Sequence, residues 1–235
     1  MYDLHSHLLP GIDDGVNSFE KSLEILTFLS SLGIKKVFVT PHYVTDTNYA
    51  SPRFENERLF SKLQAYVKDS KINIELFLGN ELYIDRDLSK LLKLKKISSL
   101  ANTKYLLVEL PMSGDYEGYE DILYSLICEG YQIILAHPER YLSFQKNYET
   151  VKKLSNLGIL FQSNIGSIVG QYGRPAQKTV KKLIKDDLIF AFGTDVHNTH
   201  HFTEYEQALK KLKKLYGDRR FIEVSEKNPQ TIFHN

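Results

Sequence analysis

Short apolar runs recur along the chain, and each is followed by a segment in which apolar residues repeat every three or four positions. Several runs are apolar at every position, as in Ile133-Ile134-Leu135-Ala136. Strands that are covered on both faces in a parallel sheet have this pattern. The predicted strands are residues 2–5, 37–40, 72–79, 105–110, 131–136, 159–163 and 188–193.

The intervening segments have the periodicity of amphipathic helices. The clearest are residues 18–32, residues 118–129, a segment beginning at Pro175 and a segment beginning at Thr203. Asn17 with Glu20, and Thr203 with Glu206, have the spacing of a capping box. Seven strands that alternate with helices predict a parallel β/α architecture, and the absence of a Pro/Gly/Ser-rich linker predicts one domain over residues 1–235.

The composition narrows the class of protein. Lys and Arg number 30 against 29 Asp and Glu, for a formal net charge of +1, so the positive surplus of a nucleic-acid-binding protein is missing. No apolar run approaches the ~18 residues of a membrane helix, and no signal peptide is recognisable. A single cysteine, Cys128, excludes a disulfide within the chain and a thiolate zinc cluster. We expect a cytoplasmic protein without membrane insertion or a nucleic-acid partner.

Side chains that bind metals follow six of the seven predicted strands. In strand order they are His5 and His7, then His42, Glu81, Glu109 and His137, and finally Asp195 with His197. The sixth strand ends in Gln162-Ser163-Asn164 instead. Asp14 lies in a loop between Gly11 and Gly15 that can turn back over the strand ends. Because the carboxyl ends of parallel strands share one face, we expect these side chains to meet there.

The donor set indicates the kind of metal. Imidazole and carboxylate without thiolate suit manganese, iron or zinc. Nine ligands exceed what one ion accepts when positions stay open for water, so we expect two or three ions with a carboxylate such as Glu81 bridging. The four carboxylates neutralise two divalent ions, whereas three divalent ions leave a net charge of +2. This residual positive charge favours a phosphate monoester as substrate.

Arg140, close to His137, adds donors that match phosphate oxygens. The residues therefore predict hydrolysis in which a bridging hydroxide attacks phosphorus while another ion and Arg140 hold the phosphate oxygens. A cysteine phosphatase is excluded because its arginine would stand six positions after Cys128, where the chain has Ile134. We interpret Cys128 as core packing. No Gly-x-Ser-x-Gly elbow or P-loop occurs.

These motifs resemble those of the polymerase and histidinol phosphatase (PHP) superfamily. More narrowly, the chain resembles the bacterial manganese-dependent protein-tyrosine phosphatases of capsule and exopolysaccharide biosynthesis. The matching segments are His5-x-His7, Asp13-Asp14-Gly15, Thr40-Pro41-His42, Glu81, Glu109, the run from Ala136 to Tyr141, and Asp195-x-His197-Asn198. The resemblance implies a distorted seven-stranded parallel β/α barrel of the TIM-like PHP type. It also implies hydrolysis of phosphotyrosine on the tail of a bacterial tyrosine autokinase.

The resemblance further implies three divalent metal ions, with Arg140 binding the phosphate. The implied ligand sets are His5, His7, Glu81 and Asp195 for one ion, Glu81, Glu109 and His137 for a second, and Asp14, His42 and His197 for a third. Relatives usually carry a second arginine shortly after the last motif, where this chain has His200 and His201. Either histidine is a candidate for that substrate-binding role, and exposed loop histidines are the alternative.

Two other functions are compatible with the same residues. A small-molecule phosphomonoesterase of the superfamily, such as one that acts on histidinol phosphate, would use every one of these ligands. A catalytically silent barrel that serves as a binding module would have lost ligands, whereas all nine positions are present here. The ligand motifs thus favour an enzyme but do not choose its substrate.

Overall fold

Strands and helices alternate along the computed structural model, which describes residues 1–114 and 116–234. The strands are β1 (Tyr2–Asp3), β2 (Lys36–Val39), β3 (His42–Tyr43), β4 (Glu75–Leu78), β5 (Glu81–Tyr83), β6 (Tyr105–Glu109), β7 (Gln132–Ala136), β8 (Leu160–Asn164) and β9 (Ile189–Gly193). The helices are α1 (Phe19–Ser31), α2 (Arg53–Asp69), α3 (Leu88–Lys93), α4 (Tyr119–Cys128), α5 (Leu142–Lys146), α6 (Glu149–Asn156), α7 (Gly173–Lys185), α8 (Phe202–Ile222) and α9 (Asn228–Gln230). Shorter 3-10 turns include Pro138–Arg140 and Ile165–Val169.

All seven predicted strands are present, and every strand pairing in the described residues is parallel. The second and third predicted strands are each followed by a further short strand, β3 and β5, which the sequence pattern left in loops. Pro41 lies in the first of these breaks, and because proline has no N–H it interrupts the ladder after β2. Its carbonyl still accepts hydrogen bonds from the backbone of Glu81 at 3.1 Å and the side chain of Asn80 at 3.0 Å.

Backbone hydrogen bonds pair neighbouring strands and also connect the last strand to the first. Strands β5 to β9 pair in sequence, β1 pairs with β2, and β2 pairs with β4. The N–H of Leu4 bonds to the carbonyl of Phe192 at 3.1 Å, and the N–H of Asp195 bonds to the carbonyl of His5 at 2.8 Å. A parallel bridge joins Ser6 to Val196 just beyond. The breaks in the second and third strands and these sparse contacts distort the ring of seven strands.

Alternate residues of the strands face two different apolar layers, as expected for strands that are covered on both sides. Leu106, Val108 and Phe192 pack in the larger cluster with the helices. The smaller cluster fills the interior of the strand ring with Tyr2, Leu4, Phe38, Leu100, Tyr105, Leu107, Ile134, Ala136, Ala191 and Ile232. Two residues beyond Leu107 on the same face stands Glu109, so the interior changes from apolar to ionisable at the carboxyl ends of the strands.

The predicted helices are confirmed, but three details of that prediction are wrong. Helix α1 is capped by Ser18, whose side chain accepts from the N–H of Lys21, and not by Asn17. Helix α8 starts after His201, without the cap predicted at Thr203. Cys128 is exposed at the end of α4 rather than part of the core, because the buried face of this short helix is supplied by Leu123 and Leu126. No described helix is long and apolar enough to span a bilayer.

Candidate metal centre

The nine predicted ligands come together at the carboxyl ends of the strands. His5 and His7 follow β1, His137 follows β7, and Asp195 and His197 follow β9. His42 and Glu81 lie on the short strands β3 and β5, directly opposite each other in the register. Glu109 ends β6, and Asp14 reaches the group from the loop before α1. The predicted convergence is therefore present in the structure, and the ligand roles themselves remain a proposal.

The tightest group is formed by donor atoms of His5, His7 and Glu81, and Asp195 lies beside the two histidines. The Nε2 atom of His5 lies 3.0 Å from His7 Nε2, 3.0 Å from Glu81 Oε2 and 3.5 Å from Asp195 Oδ1. His7 Nε2 is 3.3 Å from the same Glu81 oxygen and 3.4 Å from the same Asp195 oxygen. Ligand atoms about 2.1 Å from one ion are themselves about 3 to 3.5 Å apart. The spacing of these atoms matches a shared ion.

Glu81 also connects this group to a second one. Its other oxygen, Oε1, lies 2.9 Å from Nε2 of His137, which is in turn 3.6 Å from Oε1 of Glu109. The Nδ1 atom of His42 lies 3.0 Å from Glu81 Oε2 and 3.8 Å from Glu109 Oε2. The two oxygens of Glu81 thus face different sets of donors, which is the arrangement expected of a bridging carboxylate.

A third group lies at the more exposed side of the centre. Oδ1 of Asp14 is 3.6 Å from His42 Nε2 and 3.4 Å from His197 Nε2. Donor atoms of these three residues and of His7 all lie within 4.8 Å of one another. The members of the third implied set are therefore adjacent, whereas the close group around Glu81 and Glu109 contains His42 in addition to the contacts that the implied ligand His137 makes with both carboxylates.

Acids and imidazoles packed this closely shift one another's pKa values: although burial opposes the charged form, neighbouring carboxylates raise the pKa of His5, His7 and His42. Oε2 of Glu81 and Nδ1 of His42 are buried and lie 3.0 Å apart, but neither makes a hydrogen bond of acceptable angle among the described residues. Burial, reinforced by the charge of Glu81, raises the pKa of Glu109 to about 8. Burial lowers the pKa of His137 to about 4. Bound divalent ions would satisfy the free donor atoms and favour the carboxylate and neutral imidazole forms that metals bind.

Two of the candidate ligands have strained backbone. His137 has φ of 31° and Asp195 has φ of 54°, in the left-handed region that residues with a Cβ rarely adopt. Each follows the end of a strand. Such strain costs on the order of 1–3 kcal/mol per residue and is typical of binding and catalytic sites.

Asp13 belongs to the centre although the sequence reasoning named only its neighbour Asp14 as a ligand. Its Oδ2 lies 2.7 Å from Nδ1 of His7 and accepts the N–H of His42 at 2.9 Å. Burial opposes ionisation, but the charge of His7 and these donors lower the pKa of Asp13 to about 2. A Cβ on Gly15 would lie 2.4 Å from the His7 carbonyl oxygen, so glycine lets this loop pack closely. In the sequence, the only indication of this role is that Asp13 directly precedes the candidate ligand Asp14.

Arg140 lies at the edge of the centre, where its guanidinium borders two cavities. Its Nη1 donates to Oδ2 of Asp195 at 2.6 Å, and its Cζ lies 4.5 Å from the ring centroid of Tyr172. The first cavity, of about 290 Å³, also contains the metal-type residues and is walled by Val44, Tyr49, Tyr83 and Met112. The second, of about 340 Å³, is lined by Tyr172, Gln171, Tyr205, Asn198 and His201 among others. A phosphate bound to Arg140 would therefore also lie beside the candidate ions.

The two candidate substrate-binding histidines occupy different positions. His201 lines the second cavity with Arg140, whereas His200 lines a separate cavity with Lys21 and Thr199. The tyrosines near the strand ends also differ. Tyr43 is buried in the core, Tyr49 stacks beside His42 with ring centroids 5.9 Å apart, and Tyr172 covers Arg140.

Comparisons with known proteins agree with this geometry. The family model described as "Capsular polysaccharide synthesis, CpsB/CapC" matches residues 1–234. Tyrosine-protein phosphatase YwqE of Bacillus subtilis (strain 168) is 29% identical over 237 residues, covering 100% of this chain and 92% of that protein. Tyrosine-protein phosphatase CpsB of Streptococcus agalactiae serotype III (strain NEM316) is 28% identical over 251 residues, covering 100% and 99%.

A solved structure is similar over the whole chain. It comes from work on YwqE of Bacillus subtilis and CpsB of Streptococcus pneumoniae, described as unique metal-dependent tyrosine phosphatases. The TM-score is 0.91 at 26% identity, with 100% of this chain and 95% of that chain covered. The fold described above is therefore that of a metal-dependent phosphatase.

Glu109→Gln is expected to stabilise the metal-free protein at alkaline pH. The folded wild-type protein retains a proton on Glu109 up to about pH 8, whereas an unfolded glutamate loses it near pH 4.3. Wild-type stability should therefore fall relative to the variant as pH rises through this window, by up to about 1.4 kcal/mol per pH unit. Urea unfolding after chelation, at pH 5, 7 and 9, measures the difference.

The matched control is Glu120→Gln, which removes an exposed carboxylate on α4 and so separates the loss of one negative charge from the loss of the buried group. With Mn²⁺ added, the order should reverse, because only the wild-type protein keeps the full ligand set. A difference between wild type and Glu109→Gln that does not change with pH would contradict the assigned environment of Glu109.

Proposed function

Because the chain belongs to the CpsB/CapC family of capsular polysaccharide synthesis, we propose that it is a metal-dependent protein-tyrosine phosphatase that acts on the phosphotyrosine tail of a bacterial tyrosine kinase. Full-length relatives that are named tyrosine-protein phosphatases support the reaction class. The observation that carries the proposal is the position of Arg140, whose guanidinium borders the same cavity as seven of the nine candidate ligands. Phosphate and cations would meet in that cavity.

We propose three divalent ions, most suitably Mn²⁺, with iron or zinc as alternatives for this donor set. His5, His7, Glu81 and Asp195 would hold the first. Glu81, Glu109 and His137 would hold the second, and Asp14, His42 and His197 the third. When bound, the ions would supply an acidified water as nucleophile and offset the negative charge of the phosphate.

The protein's own residues orient the substrate and the ligands. Arg140 donates one hydrogen bond to Asp195, and its other N–H groups are available for phosphate oxygens. Its ion pair with Asp195 and its contact with Tyr172 fix the plane of the guanidinium before substrate arrives. Such preorganised donors stabilise the charge that builds up on the phosphoryl oxygens in the transition state.

The walls of the cavity favour an aromatic leaving group. Tyr49, Tyr83, Val44 and Met112 are half-buried and line the same cavity as the candidate ligands. Aromatic and apolar side chains of this kind contact the face of a phenyl ring, whereas a short alkyl phosphate would leave them in water. This favours phosphotyrosine over a small aliphatic phosphomonoester.

The remaining assignments complete the proposal. We place the second substrate contact at His201 rather than His200, because only His201 shares a cavity with Arg140. We assign the reaction to the cytoplasm. A chain with a single cysteine suits a reducing compartment, and the proposed substrate, the tail of a kinase, would be found there. The biological process is capsule and exopolysaccharide synthesis, in line with the family description.

A substrate comparison tests the reaction class. With Mn²⁺ present, kcat/KM should be far higher for a phosphotyrosyl peptide than for the same peptide with phosphoserine, and higher than for histidinol phosphate. The physical reason is ring contact with the aromatic wall, which only phosphotyrosine makes fully. Release of inorganic phosphate measures all three reactions. A large preference for histidinol phosphate would replace this proposal with the small-molecule alternative.

A graded series of variants tests the substrate contacts. Arg140→Ala should lower kcat/KM for the phosphotyrosyl peptide, because the transition state would lose about 2–4 kcal/mol of stabilisation. His201→Ala should give a smaller loss, and His200→Ala, the matched control on the adjacent residue, should leave kcat/KM unchanged. Wild-type kcat/KM in Arg140→Ala would remove this residue from the mechanism, and equal losses in the two histidine variants would contradict the choice between them.

A further inference from the structure

Strand β8 brings no metal-type side chain to the centre, yet two of its side chains lie directly behind it. Gln162 and Asn164 are fully buried. Because they are two residues apart on a strand, they face the same side. Leu160, two residues earlier, packs against the apolar interior of the strand ring. The polar end of β8 therefore lies on the inner face, behind the candidate ligands.

A series of four contacts passes through β8 and joins the two sides of the centre. Nδ1 of His5 lies 2.9 Å from Oε1 of Gln162, and Nε2 of Gln162 donates to Oδ1 of Asn164 at 2.9 Å. Nδ2 of Asn164 donates to Oδ2 of Asp195 at 2.7 Å. The same Asp195 oxygen accepts from Arg140 at 2.6 Å. An unbroken series of contacts thus runs from His5 to the arginine.

The chemistry of Asp195 sets the direction of this series. A carboxylate that binds a cation or an arginine can only accept, so Asn164 must turn its amide NH₂ toward Asp195. The carbonyl oxygen of Asn164 then faces Gln162 and must accept. Gln162 in turn presents its NH₂ to Asn164 and its carbonyl oxygen to His5. His5 must therefore carry its proton on Nδ1, which leaves the Nε2 lone pair for a metal ion.

A glycine preserves the space for this arrangement. A Cβ on residue 193 would lie 2.6 Å from Cβ of His5 and 2.8 Å from Nε2 of Gln162. Real side chains do not approach so closely, so Gly193 allows His5 and Gln162 to pack against the last strand. This close packing is an observation independent of the hydrogen bonds.

We propose that Gln162 and Asn164 are positioning residues. Because Asp195 can only accept hydrogen bonds, it fixes the orientation of both amides, and these in turn require His5 to donate from Nδ1. They select the His5 tautomer and hold two ligands of the same candidate ion in register, while Arg140 is anchored at the other end. This inference rests on the metal site of the proposed function. Replacing a residue that hydrogen-bonds to a metal ligand typically lowers metal affinity 10- to 100-fold.

Two variants of the full-length chain test the inference. Asn164→Asp keeps the shape but places an acceptor against Asp195, and Gln162→Met keeps the volume but removes the acceptor for His5. Mn²⁺ titration calorimetry on metal-free protein should show the dissociation constant of at least one ion raised about 10- to 100-fold in each variant. Excess Mn²⁺ should restore most of kcat, and the metal-free variants should have the circular dichroism spectrum and unfolding midpoint of metal-free wild type, which a folding defect would not permit.

The control is Asn56→Asp, the same change at a buried asparagine in α2, which should leave Mn²⁺ affinity unchanged. Dissociation constants within about twofold of wild type in Asn164→Asp and Gln162→Met would overturn the inference alone. So would an equal effect in Asn56→Asp. A wild-type chain that binds neither Mn²⁺ nor Zn²⁺ would overturn the proposed function as well, so the two failures are distinguishable.

Discussion

The carboxylate of Glu81 has no contact with solvent and is surrounded by imidazole nitrogens of four histidines. His5, His7, His42 and His137 approach its two oxygens to between 2.9 and 3.3 Å. Those imidazoles hold the pKa of Glu81 well below its usual value although burial opposes ionisation. Two further carboxylates, Glu109 and Asp195, border the same group. Ionisable groups packed this closely in a dry interior are costly unless cations occupy the space between them.

The rest of the fold makes that packing possible. Parallel strands deliver their carboxyl ends to one face, and an apolar layer of side chains such as Leu107 and Ile134 fills the ring beneath. After the break at Pro41 and the break between β4 and β5, the short strands β3 and β5 pair in a register that sets His42 opposite Glu81. Strain at His137 and Asp195 is supported by this framework rather than by local preference.

Much of this arrangement was predictable because it follows from short-range patterns. Short runs such as 133–136, apolar at every position, are typical of covered parallel strands, and ligands at the ends of such strands converge because those ends share one face. The strands β3 and β5 were missed because two- and three-residue pairings depend on register with distant strands. Gln162 and Asn164 carried no signal, since polar residues at a strand end have no function until their partners are known. Cys128 was misplaced because the periodicity of α4 does not show where the core ends.

We propose that this centre holds the cations that perform the phosphatase reaction. Metal content and phosphotyrosyl-peptide hydrolysis, measured on the same samples of purified full-length protein during chelation and return of Mn²⁺, test it most directly. We predict that activity disappears as the metal is removed and returns in step with uptake of several ions per chain. Full activity in protein that chelation has freed of metal would contradict the account.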